Sequence, residues 1–233
     1  MADAQKSEFL KKQEEQPQGP SDEEIIASLD KPGAGIPAHH RFVMRWFVNP
    51  FVTRNVPWER NRDSFLEMNE RILKVVGRLS DEELSRRVLV PKQFALEDSS
   101  RYWSVLMLLE HLVIVGSGIK AIVVSLSHGK VPDFEVEIAR VKPKGGKAPK
   151  EVVKSYTDFF RTVMDELDAE VGDRQSKAAL KHPWFGPFTA RQWHWLMGAH
   201  TVVHYDQLCA IIFEMFPSTK QAADILDPPR KKD

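Results

Sequence analysis

Four long stretches of this chain repeat their apolar residues at steps of three, four and seven, and nowhere is a period of two sustained. A helix turns about 100° per residue, so such steps gather apolar side chains into one stripe. The first stretch, about 58–79, carries Trp58, Phe65, Met68, Ile72, Val75 and Leu79. The second runs from about Ser99 to Ser127, with Asp98 or Ser99 as its N-cap. Between Val105 and Val115 it is apolar almost all round except at Glu110 and His111, which predicts the most buried helix. The third, about 150–171, repeats Val152, Tyr156, Phe159, Val163 and Leu167. The fourth, about 190–216, is opened by the capping-box spacing Thr189 to Gln192 and stopped by Pro217. Its stripe is Trp193, Met197, His200, His204, Leu208, Ile211 and Met215. Four such helices must bury their stripes on one another, so the fold class is all-α, a four-helix bundle. Between helices two and three lie Pro132, Pro143, Gly145, Gly146 and Pro149. A crossover that long lets helix three run parallel to helix two. Phe134, Val136 and Ile138 make a short strand at most.

The bundle occupies 58–216. Residues 1–35 are polar, interrupted by prolines and glycines, and read as a disordered tail, with one short helix at Ile25–Leu29 started by Ser21 and Glu24. Ser80 and Glu83 have the same spacing and start a connecting helix. Residues 36–57 form an apolar and basic arm, with Phe42, Trp46, Phe47 and Phe51 set among Arg41, Arg45 and Arg54. Two readings stay open for it: an arm packed over the bundle, or a segment that meets a membrane surface or a partner. Residues 217–233 read as a solvated tail. Lys plus Arg and Asp plus Glu are both 33, and this balance gives no support to nucleic-acid binding. The single cysteine, Cys209, excludes an intrachain disulfide framework and suits a reducing compartment. With no apolar run near the length of a membrane span and no secretory signal, the expected location is cytoplasmic.

Three of the eight histidines fall where a soluble helix should be apolar. His200 and His204 are four residues apart, on one face, and this spacing lets two imidazoles chelate one ion. His111 sits within the apolar run of helix two. A buried imidazole needs a partner for each ring nitrogen, and one ion shared by all three would satisfy them together. Hydrogen-bonded core histidines without a metal are the competing reading. Three neutral nitrogens on a divalent ion leave positions for water or substrate, as in reactive sites. Zinc, nickel, manganese and iron all accept these ligands. His194 points elsewhere on the helix, His182 beside Pro183 suggests a turn contact, and His39, His40 and His128 read as surface residues. Glu110 turns away from His111 and should pair with another helix. No Gly-rich phosphate loop, cysteine cluster or Gly-x-Ser-x-Gly elbow is present.

Two blocks carry a family resemblance. Tyr102-Trp-Ser-Val-Leu-Met-Leu-Leu-Glu-His-Leu112 resembles the second helix of DinB-like proteins. His182-Pro-Trp-Phe-Gly-Pro-Phe-Thr189, followed by Trp193 and His200-Thr-Val-Val-His204, resembles the approach to that family's fourth helix. The resemblance spans roughly 58–216 and implies an up-down-down-up bundle with a metal triad at His111, His200 and His204. It also implies a thiol-dependent S-transferase, isomerase or hydrolase acting on a small molecule, in some relatives with a low-molecular-weight thiol as co-substrate. Homodimers are common in such families, while the sequence itself does not show one. With the resemblance, the leading reading is a metal-dependent transferase or hydrolase, while the histidines by themselves decide neither route. The alternative is a non-catalytic metal- or ligand-binding or regulatory bundle. Trp103 and Trp193 fit either a pocket lining or plain packing.

Overall fold

The computed structural model describes residues 19–53 and 55–227. Helix α1 (Asp22–Ser28) precedes α2 (Ala38–Val43), which continues into a π-helical segment, Met44–Thr53. The bundle follows: α3 (Trp58–Val76), the short α4 (Asp81–Ser85), α5 (Val105–Ser127), α6 (Pro149–Glu170) and α7 (Ala190–Met215), with α8 (Thr219–Leu226) after it. The long helices close a ring in which α5 packs on α7 and α6, and α3 packs on the same two. The apolar stripes account for this ring. Ile72 and Val75 of α3, Leu108 and Leu109 of α5, Tyr156 of α6 and Leu208 and Ile211 of α7 are all sealed in one cluster. Gly198 lets α3 and α7 approach closely, since a Cβ there would stand 3.3 Å from the backbone oxygen of Asn61. Helix α5 is long and apolar enough to cross a membrane by length and composition alone, yet half of that apolar stretch is buried within the bundle, where it packs on α6 and α7.

The N-terminus of α5 differs from expectation. Ser104, whose hydroxyl accepts from the Met107 N–H at 3.2 Å, is the N-cap rather than Asp98 or Ser99. Residues Asp98–Ser100 turn as a 3₁₀ helix instead. Strand β2 (Tyr102–Trp103) then pairs antiparallel with β1 (Val88–Leu89), Trp103 opposite Val88. That extended pairing is incompatible with helix, so α5 begins where Ser104 can satisfy its first free N–H. A hairpin also escapes a period-two search. Strands β3 (Ala179–His182) and β4 (Gly186–Thr189) pair with Leu180 opposite Phe188. At four residues each they are too short to stand out, and Pro187 interrupts the pattern. Gly186, at φ 83°, supplies the left-handed backbone of the connecting turn.

Residues 20–36 do not behave as a tail. The α1 capping box forms as expected, although the helix starts at Asp22. The Tyr102 hydroxyl donates to Asp22 at 2.5 Å, and the Asp30 N–H donates to Asp98 at 3.0 Å. Ile36 is buried in the core. The C-terminal stretch likewise carries α8, with Ala222 buried. The ends of both expected tails, 1–18 and 228–233, lie outside the described residues, as does Arg54. The arm packs over the bundle through Met44, Asn49 and Thr53. Asn49 donates to the Phe185 carbonyl at 2.9 Å, and the Gln192 amide donates to Asn49 at 2.6 Å and Thr53 at 2.9 Å. Gln192 also closes the capping box of α7, accepting from the Thr189 N–H at 3.0 Å. One side chain thus starts a helix and holds the arm.

Candidate metal centre

The packing of α5 on α7 brings His111 against His200 and His204. The Nε2 atom of His200 lies 3.2 Å from that of His111 and 3.2 Å from that of His204. The three candidate ligand atoms all fall within 4.8 Å of one another. Their far sides are held by the chain. Nδ1 of His111 is 2.7 Å from the Val141 carbonyl, and Nδ1 of His204 is 2.7 Å from Oε1 of Gln207. The Gln207 amide nitrogen donates to the Ser100 carbonyl at 2.7 Å, which turns its oxygen towards His204.

These partners assign the protons. A carbonyl oxygen only accepts, so both Nδ1 atoms carry hydrogen and both Nε2 atoms present bare lone pairs. His200 has at most one Nε2 hydrogen and can satisfy only one of them. Without a cation, one buried lone pair at least faces another nitrogen with nothing between, an arrangement that costs free energy. A divalent ion removes this conflict, and the two 3.2 Å spacings about His200 suit it. Zinc–nitrogen bonds of about 2.0–2.1 Å in a tetrahedron place ligand nitrogens roughly 3.3 Å apart. The residues therefore fit a metal through the chemistry of their donor set.

Burial keeps these rings neutral. It pushes the pKa of His111 and of His200 well below the ordinary histidine value, and the neighbouring imidazoles add to the effect. His204 falls to about 4, again through burial, against the opposing pull of Gln207. Trp103 packs on the trio, its ring 5.0 Å from His111 and 6.0 Å from His204.

On the other side the trio faces a cavity of about 530 Å³. Its walls include Ile114, Ile119 and Ile122 of α5, Trp195 and Leu196 of α7, Val136 of the crossover, and Met44 and Val48 of the arm. Its wall also carries a buried ion pair between two positions far apart in the chain. Lys142 Nζ lies 2.7 Å from the Glu97 carboxylate, whose side chain is only 3% exposed. Glu97 also accepts from the N–H groups of Gly35 at 2.9 Å and Gly33 at 3.4 Å. Burial raises the Glu97 pKa, but the Lys142 ammonium and these N–H donors outweigh it and hold the carboxyl below its usual range.

The remaining candidates lie where the chemistry of their partners puts them. Glu110 accepts from the Gly145 N–H at 3.0 Å and pairs with Lys147 at 3.1 Å, so it binds the crossover rather than another helix. His182 makes the expected turn contact, accepting from the Trp184 N–H at 3.1 Å, and it also lines the cavity. Trp193 is core packing. His194 stands apart from the trio, stacked on Trp58 at 3.7 Å, with neither ring nitrogen hydrogen-bonded. Gln207 and Val141 were missed, although Gln207, three residues after His204, shares its helix face.

Two of these buried rings make the fold acid-sensitive. Burial lowers both His182 and His194 to about 3. The unfolded chain takes up these protons near pH 6.5 and the folded chain does not, so stability is full above that value and falls as pH drops towards 3. Each ring should cost about 2 kcal/mol by pH 5. Urea midpoints at pH 7 and pH 5 measure the loss, which should be smaller in His194→Leu. Equal midpoints at the two pH values would refute it.

A family model described as the DinB superfamily matches residues 64–208, a span that contains all three trio histidines. Among solved structures, the chain is similar to one titled "Crystal structure of TT2238, a four-helix bundle protein". The two share 20% identity over 65% of this chain and 97% of that one, with a TM-score of 0.46. No curated protein matches the chain.

Proposed function

This chain belongs to the DinB superfamily, and from that premise we propose that it is a metal-dependent enzyme acting on a small apolar electrophile at the His111, His200 and His204 trio. The reaction is transfer of a low-molecular-weight thiol to that electrophile, or its hydrolysis. The observation that carries this reading is the convergence of three imidazole nitrogens at the wall of an apolar cavity. A divalent ion held there supplies Lewis acidity, lowering the pKa of a water or thiol bound to it.

The chain's own residues do the rest. Val141 and Gln207 fix the ring orientations of His111 and His204, so that their Nε2 lone pairs face one point. Trp103 closes the trio from behind and keeps water out. The aliphatic and aromatic walls take the carbon skeleton of the substrate. Lys142 and Glu97 compensate each other's charge in the cavity wall, which leaves the wall neutral towards an apolar substrate. The substrate class is a small molecule, not a nucleic acid.

The test is turnover. Protein loaded in turn with zinc, nickel, manganese or iron is given a small thiol and a chlorinated nitrobenzene, and separately an activated ester. At least one ion should support turnover, and His200→Ala should return the rate to background. Wild-type protein that binds metal yet turns over neither substrate would instead be a non-catalytic binding module.

A further inference from the structure

Helix α2 and the π-helical segment after it have two unlike faces. Met44, Asn49 and Thr53 point into the molecule. Phe42, Trp46, Phe47 and Phe51 point out, with exposures of 56%, 60%, 53% and 67%. Four exposed aromatic rings on one short segment far exceed the scattered apolar residues of an ordinary surface. The π-helical register explains their alignment. The inward positions Met44, Asn49 and Thr53 recur at steps of five and four, and Phe42, Phe47 and Phe51 recur at the same steps, so a wider turn keeps the two sets apart.

The arm's charge points to one kind of occupant. Between Lys31 and Trp58 there is no aspartate or glutamate, while Lys31, Arg41, Arg45 and Arg54 give a local charge of +4 in a chain whose net charge is zero. Arg41 and Arg45 are exposed and form no ion pair among the described residues. Aromatic side chains beside arginines on an amphipathic helix match an anionic lipid surface, where rings enter the headgroup boundary and guanidinium groups meet phosphate. The segment is also anchored, because Asn49 and Thr53 are bonded to Gln192. A rigid platform loses little conformational entropy on adsorption. Met44 and Val48 of this platform line the cavity, and exposed Phe94 and Phe134 line it too.

We propose that residues 38–53 dock the protein on an anionic membrane surface, setting the cavity mouth at the lipid boundary. Adsorption needs no metal and does not depend on the reaction proposed for the trio. An apolar substrate dissolved in the bilayer would then reach the cavity without crossing water.

The test is flotation of the full chain with vesicles of phosphatidylglycerol and phosphatidylcholine in equal parts, beside pure phosphatidylcholine. Wild type should float with the anionic vesicles and remain behind with the neutral ones, and binding should weaken as salt rises. The double variant Arg41→Gln/Arg45→Gln should bind about thirtyfold more weakly. Trp46→Ser/Phe47→Ser should lose binding while keeping wild-type helicity and melting temperature, since both residues are exposed. Equal flotation of wild type and both variants would overturn the proposal. So would a wild-type dimer that Trp46→Ser/Phe47→Ser makes monomeric, because the patch would then belong to a second copy.

Discussion

Zinc added to metal-free wild type at a thousand times its dissociation constant should stabilise the fold by about 4 kcal/mol. For a chain of this size that corresponds to a rise of roughly 8–16 °C in melting temperature. The expectation follows from the proton assignment at the trio. With Nδ1 of His111 and His204 donating to Val141 and Gln207, the Nε2 lone pairs face inward and lack enough hydrogens to go round. The ion relieves a cost present in the folded state and absent in the unfolded chain. His200→Ala should fold but show no zinc-dependent rise. Gln207→Leu keeps all three ligands while freeing the His204 ring, and should weaken zinc binding about 10–100-fold. Scanning calorimetry with zinc, nickel, manganese and iron checks each point. A wild-type melting temperature indifferent to all four ions would leave hydrogen-bonded core histidines as the correct account.

The second large effect belongs to Glu97. Replacing it with alanine strands the Lys142 ammonium in the cavity wall and removes the acceptor for two backbone N–H groups. Breaking one partner of a buried pair costs about 3–5 kcal/mol, and urea unfolding should show a loss of that size for Glu97→Ala. Lys142→Met should cost a similar amount by leaving the carboxylate without its cation. Glu97→Leu/Lys142→Met should recover much of the loss, because the strain lies in the unpaired charge. Single-variant losses below about 1 kcal/mol would mean that water reaches the pair and screens it.

The bundle was legible because each long helix has a stripe that only another helix can cover. The boundaries of α6 and α7 follow closely from Pro149 and from Thr189 with Gln192. The trio was legible for the same reason: a histidine on a buried stripe breaks a rule of solvation, so His111, His200 and His204 stood out. What escaped was set by partners distant in sequence. Ser104 became the cap of α5 because Trp103 pairs with Val88, a contact invisible to local propensity. Glu97 and Lys142 are 45 positions apart and each looks like an ordinary surface charge on its own. Residues 20–36 are polar and rich in breakers, yet they are held by hydrogen bonds to Glu97 and Asp98, which carry no apolar signature.

The double duty of Gln192 bears on where this protein could be cut or recombined. The family match begins at residue 64, which invites treating everything before it as a dispensable leader. A chain shortened to residues 58–216 would uncover the Gln192 amide at the start of α7, open the cavity wall at Met44 and Val48, and leave Glu97 without its glycine donors. The inherited segment and the unit that folds therefore have different edges. Grafting this bundle onto another protein, or swapping its arm for a relative's, requires carrying residues 20–57 and Gln192 together as one cassette.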